Sequence, residues 1–189
     1  LTPQPPAPVP TPPPPPAPPP PPTPSVTTTT GQAIEAGKWY HLTTQFLGSN
    51  RPLEMRPGEG NELFIASTKL NDPAQMWQIT ALGDDFYRLT NKLAGDQKSL
   101  DIRNDDQKPP VMAITGGYTG QYWKFNPLGN NIYRLTTSWL GDGKAIDVSN
   151  DGIYPLVLAD SAGYTGQFWQ LTLVPDTADI AATAGEFAG

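Results

Sequence analysis

Short stretches in which apolar and variable residues alternate recur through the middle of the chain. The first set begins near Trp39, and related stretches follow at a spacing of about 46 residues. Alternation with a period of two is the pattern of a half-buried β-strand. In the first repeat this pattern predicts strands near 38–44, 52–56, 63–68 and 76–80. With the counterparts in the next two repeats, the sequence predicts twelve strands.

A Gln-x-Trp tripeptide closes each of the three repeats. The three copies, each 46 residues from the next, are Gln75-Met76-Trp77, Gln121-Tyr122-Trp123 and Gln167-Phe168-Trp169. Three copies at a fixed period indicate one supersecondary unit that is repeated three times. We expect the tryptophans to be buried together with Leu42, Leu89 and Leu135, which come from the opening strand of each repeat. We expect the glutamines to hold the local loop by hydrogen bonds.

An acidic residue occupies the second strand of every repeat. Asp101 and Asp147 each stand between two apolar residues, and the first repeat has Glu54 at this position. Because successive side chains of a strand point to opposite faces, these carboxylates should point outward. An outward carboxylate could accept hydrogen bonds from two sugar hydroxyls, or it could tie down the turn that follows.

The three repeats, with an apolar-Asp-apolar strand and a closing Gln-x-Trp, resemble the ricin B-type β-trefoil lectins and the family 13 carbohydrate-binding modules. The resemblance covers residues 38–173. It implies an all-β fold, a β-trefoil in which six strands close a barrel and six cap one end, with up to three equivalent pockets. In that family each pocket uses the strand-two Asp, an aromatic residue of strand three that stacks on the sugar, and an Asn before the Gln-x-Trp.

The sequence departs from this family pattern at two pocket positions. The stacking position holds Thr68, Ile114 and Asp160, and the Asn position holds Ala74, Gly120 and Gly166. Repeats two and three instead carry Tyr118 and Tyr164, three residues before the Gln. A tyrosine offers a flat apolar face and a hydroxyl, which suit a pyranose ring. The alternative is that these tyrosines pack within their own loops.

The candidate carbohydrate-binding residues come from repeats two and three. They are Asp101, Asn104, Tyr118, Gln121, Asp147, Asn150, Tyr164 and Gln167. Asn104 and Asn150 could add amide contacts or could cap Asx turns. The loop of repeat one, Asn71-Asp72-Pro73, differs from the other two, so we expect any pocket there to be the weakest.

Composition argues against several other classes of function. The net charge is −6, and the twelve Lys and Arg residues are scattered singly, which argues against nucleic-acid binding. The chain has no cysteine, and Asp101-Ile102-Arg103-Asn104-Asp105 lacks the spacing of a calcium loop, so we predict no metal and no cofactor. The single histidine, His41, aligns with Arg88 and Arg134, which predicts a surface-facing strand position and no enzymatic role. We also predict no membrane insertion.

Proline dominates the N-terminal segment, where sixteen of residues 1–24 are proline. Such a run predicts a polyproline II arm, which could be a stiff spacer or a docking surface for an aromatic groove or neighbouring copies. We divide the chain into a proline-rich arm or linker at 1–30, a ricin B-like β-trefoil domain at 31–174 and a flexible C-terminal tail at 175–189.

The leading hypothesis is a non-catalytic, lectin-like module that binds a glycan or polysaccharide. Each site should be weak, and two sites would gain by multivalency. The alternative is a structural subunit of an extracellular filament or surface assembly, in which the arm packs against copies of the same protein. The sequence starts at Leu1 without a methionine or a signal segment, which suggests a processed or excised product. With the leading hypothesis we expect an extracellular location, either secreted or at the cell surface.

Overall fold

The computed structural model describes residues 34–58, 62–103, 109–151 and 154–175. The strands are β1 Trp39–Thr44, β2 Leu53–Arg56, β3 Glu62–Ile65, β4 Trp77–Gly83, β5 Phe86–Asn91, β6 Gly95–Asp101, β7 Val111–Ile114, β8 Trp123–Gly129, β9 Ile132–Thr137, β10 Lys144–Val148, β11 Leu156–Asp160 and β12 Trp169–Leu173. The predicted number and order of strands are confirmed. Within the described ranges the helical segments are single 3-10 turns, and none is long or apolar enough to cross a membrane.

Six of the strands close a barrel. Each barrel strand is paired with two others in the ring β1, β4, β5, β8, β9, β12, and every pairing is antiparallel. The remaining six strands form three hairpins, which are β2–β3, β6–β7 and β10–β11. This arrangement is a β-trefoil, as the resemblance implies. The predicted proline arm and most of the predicted tail lie outside the described residues.

Tight turns connect one repeat to the next. The β4–β5 hairpin turns at Asp84 and Asp85, and the β8–β9 hairpin turns at Asn130 and Asn131. All four residues have positive φ, between 51° and 62°. Positive φ at both central positions is typical of the type I′ turn, whose twist matches that of the flanking strands, and Asn and Asp tolerate it better than most residues. These turns help to fix how consecutive repeats pair in the barrel.

The core is built from the tryptophans of the Gln-x-Trp tripeptides. Trp77, Trp123 and Trp169 are each at most 1% exposed. Their indole N–H groups donate hydrogen bonds of 2.9–3.1 Å to the carbonyls of Leu53, Leu100 and Ile146, respectively. Each ring therefore joins a barrel strand to a cap hairpin of its own repeat, and its only polar atom has a partner. The predicted burial of these rings with Leu42, Leu89 and Leu135 is confirmed.

Candidate functional site

The motif glutamine of repeat two connects the strands that surround the predicted site. It ends the 3-10 turn Thr119–Gln121, and its side chain is fully buried. The Gln121 amide nitrogen donates to Asp101 Oδ2 at 3.1 Å and to the Ile114 carbonyl at 2.8 Å, and Gln121 Oε1 accepts from the Gly116 N–H at 3.0 Å. The prediction that this glutamine holds the local loop is confirmed.

Repeat three has the same arrangement. Gln167 donates to Asp147 Oδ2 at 3.1 Å and to the Asp160 carbonyl at 2.8 Å. Gln167 and Gln121 are both 0% exposed, and both amide hydrogens are used within the protein. This geometry does not allow the direct sugar contacts that the sequence predicted for Gln121 and Gln167, because both side chains are buried and their amide hydrogens already have partners. Each amide instead fixes the orientation of the neighbouring carboxylate from the interior of the protein.

The carboxylates of Asp101 and Asp147 are half-buried, and they are not fully outward as the strand alternation predicted. One reason is that the 3-10 turn of each repeat covers part of the carboxylate. The second oxygen of Asp147, Oδ1, accepts from the Val148 N–H at 2.7 Å. Burial raises the pKa of Asp101, while its hydrogen bonds from Gln121 and the Ile102 N–H act in the opposite direction. Both carboxylates are therefore fixed in orientation before any ligand arrives.

A glycine lies against each of these two carboxylates. A Cβ atom added to Gly120 would lie 2.5 Å from Asp101 Oδ1, and one added to Gly166 would collide with Asp147 Oδ1. Glycine at these positions, where the lectin family has Asn, allows the 3-10 turn to approach the carboxylate. Repeat one has Ala74 at this position and Glu54 in place of the aspartate.

An open cleft of about 590 Å³ lies beside Asp101 in repeat two. It is lined by Asp101, Ile102, Arg103, Ala113, Ile114, Gly117, Tyr118, Thr119 and Gly120. Two apolar side chains in this lining are strongly exposed, Tyr118 at 62% and Ile114 at 76%. The structure thus brings the predicted Asp101 and Tyr118 into one cleft and adds Ile114 and Arg103, which the sequence analysis did not select.

The ring of Tyr118 rests on Gly116. A Cβ atom on Gly116 would lie 2.5 Å from Tyr118 Cε2. The Gly116 backbone is held from both sides, since its N–H donates to Gln121 and its carbonyl accepts from Arg88 Nη2 at 2.7 Å. The Arg88 guanidinium also lies 6.0 Å from the centre of the Tyr122 ring. These contacts give Tyr118 a fixed support.

The Arg88 contact was not predicted, although the repeats contain a signal for it. Arg134 makes the equivalent bond to the Ala162 carbonyl at 2.6 Å in repeat three, beside the Phe168 ring. The middle residue of Gln-x-Trp is aromatic in these two repeats, where strand one carries Arg. Repeat one has His41 and Met76 at the two positions. The arginine and the aromatic residue are thus replaced together in repeat one, which indicates that the two positions are in contact.

Repeat three has Asp147 and Tyr164 at the sequence positions equivalent to Asp101 and Tyr118, but it has Ala162 at the position of Gly116. Tyr164 is 64% exposed. The position of Ile114 is taken by Asp160, whose carboxylate pairs with Lys144 Nζ at 2.9 Å. Asn150 is exposed just after β10, and Asn104 lies outside the described residues.

The pocket position of repeat one is closed by its own charged residues. Glu54 is 2% exposed. It accepts hydrogen bonds from Lys69 Nζ at 2.8 Å, from Gln75 Nε2 at 2.8 Å and from Arg56 Nε at 3.1 Å. Burial acts to raise the pKa of Glu54, but the hydrogen bonds from Lys69, Gln75 and Arg56 hold it below the ordinary value. This carboxylate is therefore already paired with donors of the protein.

The lowered pKa of Glu54 predicts a loss of stability in acid. A carboxylate with a depressed folded-state pKa stabilises the fold above its unfolded pKa, near 4.5 here, and loses that contribution as the pH falls through the folded value. Glu54→Gln should therefore lower the free energy of unfolding at pH 7, and the difference from the unmodified protein should shrink below about pH 4.5. Urea unfolding at a series of pH values measures both the difference in stability at pH 7 and its decrease in acid.

The matched control is Glu35→Gln, which makes the same chemical change at an exposed carboxylate. It should change stability little at any pH. A deficit in Glu54→Gln that stayed constant from pH 7 to pH 3 would contradict the assigned role of the Glu54 carboxylate.

His41 is less accessible than the sequence predicted. It lies between the buried residues Tyr40 and Leu42 on β1, and its Nε2 atom is buried without a hydrogen-bond partner among the described residues. Burial lowers the pKa of His41, because the charged form is harder to desolvate. Over the same described ranges, no three His, Cys, Asp or Glu side chains are grouped so that they could hold a metal ion.

Comparison with solved structures finds similar β-trefoils. A designed threefold-symmetric protein, ThreeFoil, is 25% identical with a TM-score of 0.62, over 71% of this chain and 97% of that one. The Polyporus squamosus lectin, solved with a sialylated epitope, is 18% identical with a TM-score of 0.63, over 80% and 54%. An exo-β-1,3-galactanase from Clostridium thermocellum is 25% identical with a TM-score of 0.62, over 76% and 32%.

The aligned region therefore spans about half of the lectin and a third of the galactanase. Neither a scan against protein-family models nor a search of curated proteins found a match. The structural similarities show that the chain has the β-trefoil fold.

Proposed function

We propose that the trefoil is a non-catalytic module that binds glycans through repeats two and three. The observation that carries this proposal is the open cleft of repeat two, which is lined by a pre-oriented carboxylate, Asp101, and by the exposed residue Tyr118. A pyranose presents hydroxyl donors at its edge and C–H groups on its faces. A fixed acceptor beside apolar side chains suits both features.

Repeat three supplies the second site of the proposal, with Asp147 as the acceptor and Tyr164 as the apolar contact. Gln121 and Gln167 act as positioning residues, since each holds its carboxylate from behind. Asn150 is exposed near the second site and stays a candidate contact. The closed pocket of repeat one supports the prediction that this repeat binds most weakly. Two weak sites on one rigid domain gain by avidity on a polymer.

The similar structures support a sugar ligand, because they include a lectin solved with a sialylated saccharide and a galactanase. The proposal extends to a secreted or cell-surface protein in which residues 1–30 are a spacer. The alternative, an assembly built through the proline arm, stays a prediction because that arm lies outside the described residues.

A glycan array probed with the full chain tests the proposal. Asp101→Asn and Asp147→Asn should each weaken binding, and the double variant should lose it, because Asn carries no charge and presents one acceptor oxygen in place of two. Binding at repeat two should also weaken in acid, as the pH falls through the raised pKa of Asp101. Asp85→Asn, the same change in an exposed hairpin turn, is the control and should bind normally.

Two results would count against the proposal. One is an array on which the unmodified protein binds no glycan. The other is a folded double variant that binds as strongly as the Asp85→Asn control.

A further inference from the structure

Among the described residues that line the cleft of repeat two, Arg103 carries the positive charge. Burial alternates along this stretch of chain. Leu100 and Ile102 are 0% and 2% exposed, whereas Asp101 is half-buried and Arg103 is exposed. Alternate residues of an extended segment point to the same side, so the Asp101 carboxylate and the Arg103 guanidinium share the outer face of the cap hairpin. Burial raises the pKa of Asp101 and the charge of Arg103 acts in the opposite direction, as expected for neighbouring side chains.

The equivalent pair in repeat one is closed on itself. Arg56 Nε donates to Glu54 Oε1 at 3.1 Å. In repeat two the acid is one methylene shorter, and it already accepts hydrogen bonds from Gln121 and from a backbone N–H. Among the hydrogen bonds and ion pairs of the described residues, none joins Asp101 to Arg103. The guanidinium donors are therefore available to a ligand that lies in the cleft.

The proposed site of repeat three lacks this positive charge. Ser149 stands where repeat two has Arg103. Other basic residues near the sites do not make up the difference. Arg88 and Arg134 each donate to the equivalent loop carbonyl of their site, and Lys144 is paired with an aspartate across its hairpin. Repeat two thus offers a fixed acceptor beside a cation, and repeat three offers the acceptor alone.

Building on the proposed glycan-binding function, we propose that repeat two prefers uronic acids to the corresponding neutral sugars and that Arg103 determines this preference. In a uronic acid the carboxylate and a hydroxyl are carried by neighbouring ring carbons. The hydroxyl donates to the Asp101 carboxylate. The sugar carboxylate accepts from the planar guanidinium of Arg103, which can bind it through two parallel N–H groups. This orientation satisfies both protein groups and places the sugar carboxylate on the cation.

Nuclear magnetic resonance titration of the full chain can read the two sites separately. The backbone amides of Gly117 and Gly120 report on repeat two, and those of Gly163 and Gly166 report on repeat three. The probes are the methyl glycosides of glucuronic and galacturonic acid, their methyl esters, and the parent methyl glucoside and galactoside. The esters have nearly the same shape as the acids and carry no charge.

At low ionic strength, repeat two should bind each uronide about three- to fivefold more tightly than its ester or its neutral parent, the upper part of the range for an exposed ion pair. High salt should reduce this ratio, because it screens the interaction between the two charges. Repeat three should bind the uronides no more tightly than the neutral probes.

Two substitutions test the role of Arg103, whose exposure means that the fold should tolerate both. Arg103→Ser gives repeat two the residue of repeat three, and it should abolish the uronide preference while the neutral glycosides still bind. Arg103→Glu should reverse the preference. The matched control is Arg56→Ser, which removes the same charge from the equivalent position of repeat one. It should leave the ratio at repeat two as it is in the unmodified protein.

The outcomes separate the two proposals. Equal binding of uronides and neutral probes at repeat two, or an unchanged ratio in Arg103→Ser, would overturn the selectivity and leave the glycan-binding function standing. If none of the probes shifts any of the four glycine amides, the proposed function and the selectivity fail together.

Discussion

Replacing Trp123 by alanine is expected to lower the free energy of unfolding by about 3–5 kcal/mol. The ring is 0% exposed and its N–H bonds the Leu100 carbonyl, so the substitution leaves a cavity and an unpaired acceptor where the barrel meets its cap. Such a loss is a large part of the roughly 5–15 kcal/mol that stabilises a typical domain. Urea unfolding of the full chain, followed by tryptophan fluorescence and circular dichroism, measures the difference.

Trp139→Ala is the matched control, because it removes the same side chain from a turn where the ring is 37% exposed. It should cost about 1 kcal/mol or less. Equal losses in the two variants would show that the threefold tryptophan core does not carry the stability assigned to it.

Gln121→Glu is expected to destabilise the protein by about 2–4 kcal/mol at neutral pH. The change keeps the shape of the side chain but removes the nitrogen that donates to Asp101 and to the Ile114 carbonyl. It also places a second carboxylate beside Asp101 in a half-buried site, and two adjacent carboxylates raise the pKa of at least one of them. The deficit should shrink on mild acidification, when a proton can be shared between the two groups.

Gln170→Glu makes the same change on the exposed face of β12 and should be nearly neutral. Thermal unfolding at pH 7 and at pH 5 compares the two variants. If Gln121→Glu were as stable as Gln170→Glu at pH 7, the buried glutamine would not be the positioning group described above.

The fold could be predicted because its signals are repeated. The Gln-x-Trp tripeptides fixed the period, and the alternation of apolar residues located the strands within a few residues of their observed bounds. The burial of Trp77, Trp123 and Trp169 follows from the same pattern. A single repeat would have given weak evidence, and agreement among three copies removed most of the ambiguity.

The site could be predicted only in part, because sequence spacing does not show depth. Asp101 and Tyr118, both predicted as ligand contacts, line one cleft, but strand alternation could not show that a 3-10 turn covers one side of the carboxylate. Gln121 was assigned a ligand contact, and its burial became visible only when the turn was placed on the hairpin. Ile114 was not selected because it is not aromatic. Its exposure depends on the geometry of the hairpin and could not be predicted from the sequence.

The closed barrel has a consequence for how this protein behaves at high local concentration. Strands with a free edge can pair with another chain and start aggregation. Every barrel strand here already has a neighbour on both sides, and the outer strands of the cap hairpins, β3, β7 and β11, are only four or five residues long. Within the described residues, free backbone edges are therefore confined to the short cap strands, and the barrel offers no edge on which a second chain could extend the sheet.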